Sequence, residues 1–116
     1  MQSKKQPKTL IEFQKRFPDI WRTYANFRDS CDDYGSLDPK TRELIKIGIE
    51  VALQKHGGLI AHIHRAQKAG ASRQDVLHAI LLATPLVGLP IVLDAFRIAD
   101  TNLRLNGYTT EDTKFH

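Results

Sequence analysis

Apolar positions recur along this chain with the three-to-four-residue spacing of amphipathic helices, and no stretch alternates with period two for long enough to predict a strand. Thr9-Leu-Ile-Glu carries capping-box spacing, Thr9 to Glu12, and predicts a short helix to Phe17 that Pro18 ends. Asp19 is placed to cap a second helix to about Cys31, with Ile20, Trp21, Tyr24 and Phe27 on one side. Asp32-Asp-Tyr-Gly reads as a turn. Asp38 followed by Pro39 is a strong helix start, because the Asp side chain accepts an orphan N–H and proline needs none at the first position. This helix is expected over 39–55. Leu44, Ile45, Ile47, Gly48, Val51 and Ala52 fall on one broad face, and Glu43, Lys46, Glu50 and Gln54 on the opposite side. Glu43–Lys46 and Lys46–Glu50 have pairing distance along the helix, so this side reads as a solvated charge ladder.

His56-Gly-Gly is expected to break the chain before the next helix, which Gly70 closes as a C′ glycine. Ser72 and Asp75 repeat the capping-box spacing and open a helix carrying Val76, Leu77, Ile80 and Leu81. Pro85 and Gly88 disturb its end, and Leu89-Pro starts a last helix to about Asn106, stopped by Gly107. The pattern predicts an all-α bundle of five or six helices with short, antiparallel connections. It also predicts a disordered arm over 1–8, one helical domain over 9–107 and a loose tail over 108–116. The central helices and the 79–92 segment are apolar enough to supply subunit interface as well as core.

At 116 residues the chain is of ordinary single-domain size, with 41% hydrophobic and 26% charged residues. No apolar run reaches the ~18–20 residues of a membrane span, since 79–92 is interrupted by Thr84, Pro85, Gly88 and Pro90. The basic start leads into a charged segment, which predicts no signal peptide, no membrane partner and a cytoplasmic location. The single cysteine, Cys31, excludes an internal disulfide, a two-thiol mechanism within one chain and a multi-cysteine zinc site. A net charge of +4 is dispersed rather than blocked. No basic helix face with interleaved aromatics appears, so no nucleic-acid partner is expected.

Candidate chemistry centres on 59–70. On the helical wheel His62 lies inward with Ala66, Ala69 and Leu59, while His64 lies with Arg65 and Lys68 on the charged side. A histidine among alanines has room beside it and titrates near neutrality, which suits a general acid or base. The same position suits a core histidine satisfied by a carbonyl or hydroxyl. His62 and His64 diverge on a helix, and no pair has the i,i+4 spacing of helical zinc ligands, so no metal is expected. Gly57 and Gly58 permit close backbone approach or an anion at a helix start, or simply a turn. Phosphate-loop, dinucleotide and serine-elbow signatures are absent.

Leu37-Asp-Pro-Lys-Thr-Arg-Glu-Leu-Ile, then His62 with Ala66 and Gly70, then Gly88-Leu-Pro and Ala95-Phe, resemble the carboxymuconolactone decarboxylase family over roughly 36–100. That family includes the alkyl hydroperoxidase D-like proteins. The resemblance implies an all-helical, homo-oligomeric fold, commonly a trimer or hexamer. Its peroxidase-like branch has a Cys-x-x-Cys pair before the motif histidine and a glutamate one helix earlier. His62 and Glu43 match that histidine and glutamate, but Lys55 and Gly58 stand at the cysteine positions. Dithiol chemistry needs an attacking and a resolving thiol, so the resemblance favours the decarboxylase branch. The implied reaction is cofactor-free loss of carbon dioxide from a small anionic, carboxylated lactone. It needs a cation to hold the carboxylate that stays, an apolar wall at the one that leaves, and an acid for the electron-rich carbon. His62 is the candidate acid and Glu43 the group that orients or recharges it. Arg42, Arg65 and His56 are candidates for holding the anion. An oxidoreductase using an outside thiol and a non-catalytic oligomeric binding protein are the competing expectations.

Overall fold

The computed structural model describes residues 8–105, and every regular element among them is a helix. The order is α1 (Lys8–Arg16), α2 (Pro18–Asp33), α3 (Pro39–Leu53), α4 (His56–Lys68), α5 (Arg73–Leu81), α6 (Thr84–Val87) and α7 (Leu89–Leu105). Six are longer than two turns, and α6 is a single turn of four residues. The all-α expectation therefore holds. No helix among the described residues is long and apolar enough to cross a membrane. The expected N-terminal arm (bar Lys8), Gly107 stop and tail lie outside the described residues.

The chain divides into two units, Met1–Leu37 and Asp38–His116. In the first, α1 begins at Lys8, so Thr9 lies inside the helix and not at its cap. Pro18 sits at the start of α2, where its missing N–H leaves no hydrogen bond unmade. Asp19 is in the first turn, not ahead of it, and binds Arg22 at 2.6 Å. The expected turn at Asp32 and Asp33 is the last turn of α2. No described residue of α1 or α2 is buried.

The second unit holds the core. Asp38 caps α3 by accepting the Thr41 N–H at 2.8 Å. That hydrogen bond is the main reason its carboxyl lies below the ordinary value. α3 ends at Leu53 because Gln54 adopts the left-handed conformation, φ 57°. Its N–H and that of Lys55 then return to carbonyls of the last turn. α4 starts at once, so Gly57 and Gly58 are inside its first turn and not in a break before it. Gly70 closes the α4 end with φ 101°, a conformation that favours glycine. Ser72 and Asp75 form the expected capping box, each side chain accepting the other's N–H at 3.0 Å.

Ile47 and Val51 of α3, Leu59 and Ile63 of α4, Val76 and Ile80 of α5, and Val92 and Leu103 of α7 meet in one apolar core. Only one charged residue is buried among those described: Arg73, 5% exposed, which pairs with Asp100 across α5 and α7. The same Asp100 accepts Arg104 at 2.8 Å. The core fixes α4 against α3, and that packing positions the polar cluster described next.

Candidate active site

Burying Ile47 and Val51 on one side of α3 leaves Glu43 and Glu50 on another stripe, seven residues or two turns apart. Burying Leu59, Ile63 and Ala66 turns His62 of α4 toward that stripe. His62 Nδ1 lies 2.8 Å from Glu43 Oε1. His62 Nε2 lies 3.5 Å from Glu50 Oε2. The side chains of His62, Glu43 and Glu50 are only 15%, 13% and 20% exposed. The imidazole therefore sits between two carboxylates, and its polar partner is neither a carbonyl nor a hydroxyl.

Burial by itself would raise the Glu43 carboxyl. The hydrogen bond and charge of His62, with the charges of Lys46 and Arg65, outweigh it and hold the carboxyl below its ordinary value. Glu43 is therefore ionised at neutral pH and can only accept. That assigns a proton to Nδ1, which donates to Glu43, and leaves Nε2 as the nitrogen available for proton transfer.

The α3–α4 approach is closest at Gly58. A Cβ placed there would stand 2.6 Å from Glu50 Cδ and Oε2 and 2.7 Å from Oε1. No left-handed φ occurs there, so what glycine contributes at this position is the space taken up by the end of the Glu50 side chain. The Glu50 carboxylate rests against the first turn of α4, with His62 one turn further on.

The reading of Glu43, Lys46, Glu50 and Gln54 as a solvated ladder is corrected for Glu43 and Glu50. Their stripe packs on α4, and only the Gln54 end is exposed. Glu50 was not among the sequence candidates. The available signal was its heptad spacing from Glu43 together with the glycine that faces it. Among the anion-holding candidates, Arg65 lies within electrostatic reach of Glu43. Arg42 is half-buried beside Glu43 in the chain, and His56 is exposed at the first position of α4. His64 is half-buried, not solvated. Among the described residues no three His, Cys, Asp or Glu side chains are arranged to hold a metal ion. Cys31 is exposed on α2.

A separate open groove of about 530 Å³ runs along the apolar face of α3. Leu44, Ile45, Gly48 and Ile49 line it with Leu82 and Leu86, and Asp75 and His78 border it too. None of Glu43, Glu50 and His62 lines it.

Among curated proteins and among solved structures, none matches the chain at a significant level. The family model for the carboxymuconolactone decarboxylase family matches residues 18–101, which includes all of α3, α4 and α5 and the whole carboxylate–histidine cluster. With most of its length covered by that match, the chain belongs to the carboxymuconolactone decarboxylase family.

Proposed function

We propose that the protein is a cofactor-free lyase that removes carbon dioxide from a small carboxylated lactone or a related acid by acid–base catalysis. The observation that carries this reading is the part-buried Glu43–His62 hydrogen bond. It fixes the ring, assigns its tautomer and leaves Nε2 to act. His62 is the acid that protonates the carbon left electron-rich when carbon dioxide departs. Glu43 orients the ring and stabilises its positive charge. Arg65 is the first candidate for holding the carboxylate that stays, with Arg42 and His56 next.

Thiol peroxidase chemistry is disfavoured. Lys55 and Gly58 stand at the positions where the peroxidase-like branch carries its cysteines, so neither thiol is present there. A homo-oligomer, trimer or hexamer, forms part of the proposal and is supported by the apolar groove along α3.

The test uses 4-carboxymuconolactone and follows carbon dioxide release. The wild-type protein is expected to turn it over. His62→Ala is expected to lose on the order of 10²–10⁴-fold in kcat, the usual contribution of a positioned general acid, with the oligomer intact. Unchanged turnover in that variant would remove His62 as the acid. A peroxide assay with dithiol donors, comparing wild type with Cys31→Ser, addresses the thiol alternative; equal rates give Cys31 no part.

A further inference from the structure

His62 has two ring nitrogens, and Glu43 occupies one of them. An acid that delivers a proton from Nε2 must regain one there before the next turnover. The group facing Nε2 is Glu50, with Oε2 at 3.5 Å. That distance is longer than a formed hydrogen bond and short enough for a small ring or carboxylate rotation, or one water, to complete a proton path.

A second observation, independent of that distance, is the slot that holds Glu50. All three carboxylate atoms lie 2.6–2.7 Å from where a Cβ on residue 58 would be. The carboxylate thus takes up the space of a missing side chain on α4, on the same helix as His62. It is also slightly more exposed than either His62 or Glu43, so it is the member of the cluster nearest to solvent. The charges that act on the Glu43 anchor are those of His62 and Arg65 on α4 and Lys46 on α3.

We propose that Glu50 shares the Nε2 proton of His62 and recharges it from solvent, so that the relay runs solvent–Glu50–His62 with Glu43 as its anchor. The inference rests on the acid role proposed for His62. In each turnover the bond from substrate carbon to carboxylate breaks, carbon dioxide leaves, and the electron pair stays on the substrate. The Nε2 proton then bonds to carbon. The Glu50 carboxyl passes its proton to Nε2 and regains one from water. The net change is one carboxylate and one solvent proton converted to one C–H bond and one carbon dioxide. Glu50 acts through His62 and is a positioning and proton-supply residue.

The experiment has two arms on the full chain. The first needs no substrate: the ring nitrogens of His62 are observed by 15N NMR in wild type, Glu50→Gln and Gly58→Ala. Both variants are expected to shift the Nε2 resonance and leave Nδ1 in place. Glu50→Gln preserves volume, so it decides the matter if Gly58→Ala fails to fold. An unmoved Nε2 in Glu50→Gln overturns the proposal. The second arm measures 4-carboxymuconolactone turnover. Glu50→Gln is expected to lose about tenfold or more in kcat with KM little changed. The loss should be restored by rising concentrations of a small buffer acid such as acetate at fixed pH. Wild-type kcat in Glu50→Gln, or a loss that buffer acid never restores, overturns the recharging role. If wild-type protein leaves the lactone untouched, the proposed substrate fails while the NMR arm still decides the shared proton.

Discussion

Glu43 carries opposing influences: burial, the largest single one, raises its carboxyl, and the hydrogen bond to His62 together with the charges of His62, Lys46 and Arg65 lowers it more. Its net shift downward has a consequence for stability. A carboxyl whose folded pKa lies below its unfolded value stabilises the fold above the unfolded value, and that contribution disappears as pH falls through the folded one. Glu43→Gln is therefore expected to be less stable than wild type near neutral pH by about 1.5–3 kcal/mol, the range for a hydrogen bond to a charged group. The difference should shrink once pH drops below the ordinary value of 4.5 and vanish when the carboxyl is protonated. Urea titrations of both proteins across that range measure it. A difference that grows toward acid would contradict the assignment of Glu43 as the ionised acceptor. At this scale the sequence was half legible. His62 stood out because alanines surround it, Glu43 was marked only by the family resemblance while its wheel position read as a surface acid, and Glu50 carried no mark at all. A helical wheel sorts polar from apolar positions. It does not say whether a polar stripe meets water or another helix, and here it meets α4.

The elements themselves were the most legible part, because helix ends are decided by neighbours in sequence. Asp38 with Pro39, Ser72 with Asp75, and Gly70 all do what their local chemistry dictates. The misreadings share one cause. Thr9, Asp19, and Gly57 with Gly58 each carry a boundary signal, yet each lies inside a helix. At Gly58 the glycine answers to packing, since α4 must admit the Glu50 carboxylate. Packing between elements also explains Arg73, whose partner Asp100 lies 27 residues away and has no local signature. Arg73 is nearly sealed, and Arg104 shares its carboxylate partner. Removing one member of a buried pair leaves the other charge without compensation. Asp100→Asn is therefore expected to destabilise the fold by about 3–5 kcal/mol. A double substitution, Arg73→Met with Asp100→Leu, should recover most of that loss. Denaturant midpoints of the single and double variants provide the check. A double variant no more stable than Asp100→Asn would mean that Arg73 contributes through packing of its stem and not through its charge.

For the molecule as a whole, the composition of α3 poses a question that a single chain leaves unanswered. One of its faces supplies Ile47 and Val51 to the core, and a second supplies Glu43 and Glu50 to the cluster. Its third face, with Ile45 and Ile49, lines the open groove together with Leu82 and Leu86. Ile49 is 52% exposed and Leu86 85% exposed. Scattered apolar residues on a surface are ordinary, but these line one continuous groove of about 530 Å³. Burying a Leu or Ile side chain contributes roughly 1.5–3 kcal/mol, so four such residues meeting a second copy would supply much of an association free energy. The proposed homo-oligomer is expected to use this face. Light scattering at micromolar concentration should then give a mass that is a multiple of 13.2 kDa. Ile49→Asp combined with Leu86→Asp should reduce it toward one chain, because a carboxylate at each site would have to lose its water on association. The Glu43–His62 pair does not line the groove, so the His62 Nδ1 resonance should be unchanged in the dissociated variant. A wild-type mass of one chain would end the oligomer proposal. An oligomer that survives both substitutions would move the interface to another face, with the exposed Ile20, Tyr24 and Phe27 stripe of α2 next to be tested.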